Sequence, residues 1–125
     1  MIDSRYPDGF IEFLEFLCRK YRIDRSQVFV EFNFKAPPLV KGGRFGYYDG
    51  LLSYRERGGR FEFLITVFSI ARDPLLTLGH EFAHLVDDMR SGGVGKLLRP
   101  PDDVRERKFD DQAREDLSLY RTETR

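Results

Sequence analysis

The spacing of hydrophobic positions changes along the chain, and each spacing predicts an element. Between Pro7 and Arg22, Phe10, Leu14, Leu17, Cys18 and Tyr21 recur three or four residues apart, and Phe13 and Phe16 widen the stripe. This is the period of an amphipathic helix, with Pro7 suited to its first turn. After a polar connector, Ile23 to Ser26, the period falls to two. Val28, Val30, Phe32 and Phe34 alternate with Phe29, Glu31 and Asn33, as in a half-buried strand. Pro37-Pro38 and Gly42-Gly43 mark residues 35–43 as a loop. Arg44 to Tyr48 and Leu51 to Arg57 are short strand candidates joined by Asp49-Gly50, a favoured two-residue hairpin turn. Gly58-Gly59 makes the next turn, and Phe61 to Ser69 alternates again.

Helical spacing returns with Leu75, Leu78, Phe82, Leu85, Val86 and Met89. Asp73 is a good N-cap for this segment, Pro74 fits its first position, and Gly92-Gly93 ends it. Residues 91–101 form a loop with three glycines and two prolines. A last helix is predicted to about Tyr120, opened by a capping box of Asp103 with Glu106, and 122–125 form a frayed end. The order predicts an α+β fold of one domain, residues 1–125. It has an N-terminal helix, a small antiparallel sheet of three to four strands, and two further helices.

Composition narrows the function classes. With 21 basic and 21 acidic residues the formal net charge is zero, which argues against a nucleic-acid binder. No apolar run is long enough to cross a membrane and no signal pattern opens the chain, so a cytoplasmic protein is expected. The single cysteine, Cys18, excludes an internal disulfide framework and falls on the apolar stripe of the first helix as a small core residue.

The chemistry is concentrated in His80-Glu81-Phe82-Ala83-His84, which reads H-E-x-x-H and holds both histidines of the chain. On a helix, residues four apart share a face, so His80 and His84 can direct ring nitrogens at one ion. Imidazole ligands and an open coordination position point to zinc. Glu81, rotated off the ligand face, is placed as general base toward a water activated by the metal. A third protein ligand is required, and with no further histidine it should be a carboxylate. On the last helix Phe109, Ala113, Leu117 and Tyr120 define the buried face. At about 100° per residue Glu106 and Asp110 fall on that face, whereas Asp111 and Glu115 do not. Both Glu106 and Asp110 remain candidates on this reading.

These residues carry a resemblance to small gluzincin-type zinc metallopeptidases, among them the single-domain minigluzincins and the ImmA/IrrE-type peptidase domains. Such proteins place an N-terminal helix, a small antiparallel sheet, an H-E-x-x-H helix and a glutamate-bearing helix in this order. Their third ligand often lies in a stretch like F-E-x-x-A. Phe109-Asp110-Asp111-Gln112-Ala113 is similar, with Asp for Glu and a small residue where two helices would approach. Others carry E-x-x-x-D, whose distal acid bonds back to a ligand histidine. Glu106 and Asp110 fit that version, with Phe109 where a small residue is usual. The resemblance makes Asp110 the first choice for third ligand and Glu106 the alternative, with Asp110 then supporting a histidine.

The resemblance implies a zinc-dependent peptidase acting on a peptide or protein, with Phe61 to Ser69 as the cleft-edge strand that pairs an extended substrate. It also implies a candidate for latency, the tail Leu119 to Arg125 lying in the cleft. A donor for the developing oxyanion would be a Tyr or an Arg, and Tyr47, Tyr48, Tyr54 and Tyr120 are candidates. The alternative is a zinc-containing regulatory or protein-interaction module without proteolytic activity. A third reading is a metal-free binding domain that uses its aromatic surface.

Overall fold

In the computed structural model, which describes residues 6–34, 49–90 and 103–123, the first helix α1 (Phe10–Tyr21) starts at Gly9. The left-handed φ of 78° there suits glycine, and Phe10 N–H donates to the Pro7 carbonyl at 3.1 Å. The helix closes at Arg22, also left-handed, with Ile23 N–H returning to the Cys18 carbonyl at 2.9 Å. One 3-10 turn, Arg25–Gln27, capped by Asp24, leads into β1 (Val28–Asn33). β2 (Gly50–Arg57) and β3 (Arg60–Phe68) follow, then α2 (Pro74–Arg90) and α3 (Asp103–Glu123).

Gly58 and Gly59, with φ of 60° and 81°, form the two-residue turn joining β2 to β3, as their spacing predicts. Asp49-Gly50 is not a second such turn. Gly50 is a strand residue paired with Val67, and Phe68 N–H donates to the Asp49 carbonyl at 2.8 Å, so the ladder continues through the pair. The expected strand 44–48 lies outside the described residues.

The sheet is mixed rather than antiparallel. Its order is β1-β3-β2, with β2 antiparallel and β1 parallel to β3. Composition explains the arrangement. Phe63 and Ile65 to Phe68 are buried without the alternation of a half-exposed strand, the mark of a strand enclosed on both faces and flanked on both sides. β2, with Arg55, Glu56 and Arg57, has the charge of a protected edge. β3 is therefore central and is not the cleft-edge strand that the resemblance implies. Among the described residues the edges are β1 and β2.

The α+β class holds, with α1 and α2 packed on the sheet face that carries Val28, Ile65 and Val67. Phe10, Phe13, Leu14, Leu17, Leu78, Phe82 and Leu85 fill this core with no exposure. Met89, expected on the apolar stripe, is 37% exposed, while Gly79, Glu81 and Ala83 are buried. α3 buries Phe109, Ala113 and Leu117 as expected, together with Asp116, which about 100° per residue also puts on that face. Asp116 accepts from Tyr21 Oη at 2.6 Å and Gln112 Nε2 at 3.3 Å, and is ion-paired to Lys20. This buried carboxylate ties α3 to the end of α1. No helix among the described residues is long and apolar enough to cross a membrane.

Cys18 is buried in the core, and burial pushes its thiol up to about 11. At pH 8 about one chain in a thousand should carry the thiolate. Iodoacetamide should therefore label the native protein at least about a hundredfold more slowly than the urea-unfolded chain, as followed by mass spectrometry. Between about 9, the ordinary value, and about 11 the native state keeps a proton that the unfolded chain has lost, so stability falls through that window.

Candidate metal centre

α2 begins as its sequence dictates: Asp73 Oδ1 accepts from Leu76 N–H at 3.2 Å, and Thr77 N–H reaches the Asp73 carbonyl at 3.0 Å. From this capped start His80 and His84 follow one helical turn apart, their rings 4.9 Å between centroids. The Nε2 atoms are 3.2 Å apart. Glu106, from the first turns of α3, brings Oε2 to 2.6 Å from His80 Nε2 and 3.3 Å from His84 Nε2, with Oε1 3.1 Å from the latter. The capping box expected at Asp103 falls on a side chain outside those described, and Glu106 is engaged with the imidazoles instead.

The two carboxylates weighed from sequence take different places. His80, His84 and Glu106 each offer one ligand atom, and these atoms lie within 4.8 Å of one another, a group that could hold a metal ion. Asp110, one turn further along α3, is 52% exposed and places Oδ1 2.7 Å from the other ring nitrogen of His80, Nδ1. Thus Asp110 stands behind a histidine while Glu106 stands between two.

Donor spacing tests the fit of a metal. Bonds of about 2.0 Å in tetrahedral array set ligand atoms about 3.3 Å apart. The His80–His84 and His84–Glu106 separations are close to that value, and the His80–Glu106 separation is a short hydrogen bond. A cation in place of the Nε2 proton of His80 fits with a small outward shift of Glu106. Two imidazoles and a carboxylate are also a donor set that suits zinc.

The electrostatics agree. Burial works to lower the His80 pKa, but the hydrogen bond that His80 donates to Glu106 and the charges of Glu81, Glu106 and Asp110 outweigh it and raise it to about 9. Glu106 is held well below the usual carboxylate range, first by its bonds to His80 and His84. Three carboxylates around two imidazoles make a field that draws positive charge. Glu81 is almost wholly buried, and burial pushes its carboxyl up against the lowering effect of the two histidines.

Two packing details set the position of α3. Gly79 lies so close to Ala113 that an added Cβ would stand 3.1 Å from the Ala113 Cβ and 3.4 Å from Phe13 Cε2. Ala113 is the small residue that the resemblance places at a helix approach; Gly79, four residues after Leu75 and seven before Val86, borders the apolar stripe of α2. Phe109, between the two acids, lays its ring on His84 with centroids 4.3 Å apart and edge-on to His80 at 6.3 Å. It shields one side of the imidazoles.

The expected oxyanion donors do not gather here. Tyr47 and Tyr48 lie outside the described residues. Tyr54 sits on Phe61 at the far part of β2, about 13 Å of strand from Gly50. Tyr120 packs on Phe13 and Phe16, fourteen residues and about 21 Å along α3 from Glu106. For the same reason residues 119–123 of the tail do not reach the cluster, because they continue α3, and its last two residues lie outside those described. Compared with models of protein families, with curated proteins and with solved structures, the chain finds no match, and the reading of this site rests on its own residues.

Proposed function

We propose that the chain is a zinc-dependent peptidase, with His80, His84 and Glu106 as ligands and Glu81 as general base. The observation that carries this reading is the convergence of His80 Nε2, His84 Nε2 and a Glu106 carboxylate oxygen beside the buried acid Glu81. A site whose task was only to hold the fold would have no use for that acid and usually fills four positions with protein ligands. Zinc, when bound, supplies a Lewis acid that polarises a carbonyl and makes water more acidic.

The chain's own groups supply the rest. Glu81 takes a proton from the attacking water and returns it to the leaving amine, and its raised proton affinity suits both halves of that transfer. Asp110 accepts from His80 Nδ1–H, which fixes the ring and directs Nε2 at the cluster. Phe109 keeps water from one side of the imidazoles. An extended peptide would pair with β2, the edge strand that begins against Glu81, rather than with the enclosed β3.

The test is zinc content by elemental analysis together with cleavage of a mixed peptide library read by mass spectrometry. Wild type should carry about one zinc per chain and cleave. Glu81→Gln should keep the zinc and the fold and lose roughly 10²–10⁴-fold in rate. Zinc with no cleavage by wild type would favour the interaction-module reading, and equal rates for the two proteins would exclude Glu81 as the base.

A further inference from the structure

Gly50 is an ordinary extended strand residue, absent from the positive-φ glycines, so backbone conformation does not explain it. Space does. It lies on the core face of the sheet, in the row of Phe32 and Val67, where α2 crosses the start of β2. A Cβ on Gly50 would stand 2.7 Å from Thr77 Cγ2, 3.1 Å from the Thr66 carbonyl oxygen and 3.2 Å from Glu81 Cγ. The first distance is one that real Cβ atoms do not adopt, and the second involves backbone that cannot step aside. Thr77 and Glu81 are one turn apart on the same ridge of α2, so Gly50 faces both.

We infer that Gly50 and Thr77 form a slot that fixes the Glu81 side chain at its Cγ, and that Gly50 is a positioning residue for the Glu81 carboxylate. Glutamate has three rotatable bonds, and a base that must meet a proton at hydrogen-bond distance loses rate when its carboxylate swings. The slot confines the stem next to the backbone, where the chain is least free to move. The inference rests on the hydrolase reading for its effect on turnover, and on packing alone for the contact itself.

A double-mutant cycle in thermal denaturation separates the two. Gly50→Ala should lower the Tm by about 5 °C. In a Glu81→Ala or a Thr77→Ser background, which removes an atom it collides with, the same change should cost less than half as much. On peptide substrate Gly50→Ala should keep zinc content and KM, while kcat falls roughly ten- to hundredfold and recovers in part with Thr77→Ser. Strict additivity in the cycle, or coupling with an unchanged kcat, overturns the inference. If wild type holds zinc but cleaves nothing, the hydrolase reading fails and the cycle still decides whether Gly50 fixes Glu81. Should Gly50→Ala not fold, Thr77→Ser alone decides: it widens the slot, and kcat should fall severalfold at constant KM, whereas no change overturns the proposal.

Discussion

Glu106→Ala should remove stoichiometric metal binding, whereas Asp110→Ala should weaken it only roughly 10- to 100-fold. The difference follows from where the two carboxylates meet the histidines. Glu106 touches both Nε2 atoms, at 2.6 and 3.1 Å, and is the one member of the ligand group that α2 does not provide. Without it two imidazoles remain, too few for a stable zinc site. Asp110 touches His80 through Nδ1, so its loss frees a ring and leaves every ligand atom in place. Neither change should unfold the protein, because α3 is held independently by Phe109, Ala113 and Leu117 and by the Asp116 link to α1. Competition against a chromophoric chelator, with circular dichroism as the check on folding, reads both variants. If Asp110→Ala proves the more damaging, Asp110 is the ligand and Glu106 its support.

Gly79→Val should damage both stability and the metal site through one movement. The added carbons enter a space where even a Cβ meets Ala113 at 3.1 Å and Phe13 at 3.4 Å. Overfilling a packed contact of this kind costs about 1–3 kcal/mol, or a fall in Tm of roughly 4–10 °C for a chain of this length. The relief available is to push α3 away from α2. That displaces Glu106 from His80 and His84, and metal affinity should drop roughly tenfold or more, as for other losses of ligand orientation. A merely destabilised core would lower the Tm without that loss. Ala113→Gly in the Gly79→Val background restores room at the crossing, so it should recover affinity more fully than Tm, since glycine costs about 1 kcal/mol in a helix interior. Chelator competition and thermal denaturation of the two proteins, compared with wild type, check the pair.

How far the sequence could be read varies from residue to residue. Asp73 followed by Pro74 and an apolar stripe marks the start of α2, and four-residue spacing puts His80 and His84 on one face. Gly58-Gly59 marks the β2–β3 turn, and Phe10 to Tyr21 marks α1. All are found. Asp49-Gly50 shows where such reading stops: the same dipeptide that favours a turn here opens β2, and its glycine serves close packing.

What the sequence by itself determined is local: the elements, their capped ends, and one helix carrying two imidazoles and an acid at metal-binding spacing. These follow from periods of 3.6 and 2, which each stretch of chain expresses without its neighbours. What only the tertiary structure decided is the relation between stretches. β1 and β2 flank β3 because the most buried strand takes the centre and needs a neighbour on each side. Glu106 rather than Asp110 stands between the histidines because residues four apart on a helix differ by about 40° in direction and about 6 Å along the axis. The rotation and height of α3 against α2 resolve that difference, and Gly79 against Ala113, with Asp116 held by Lys20 and Tyr21, sets them.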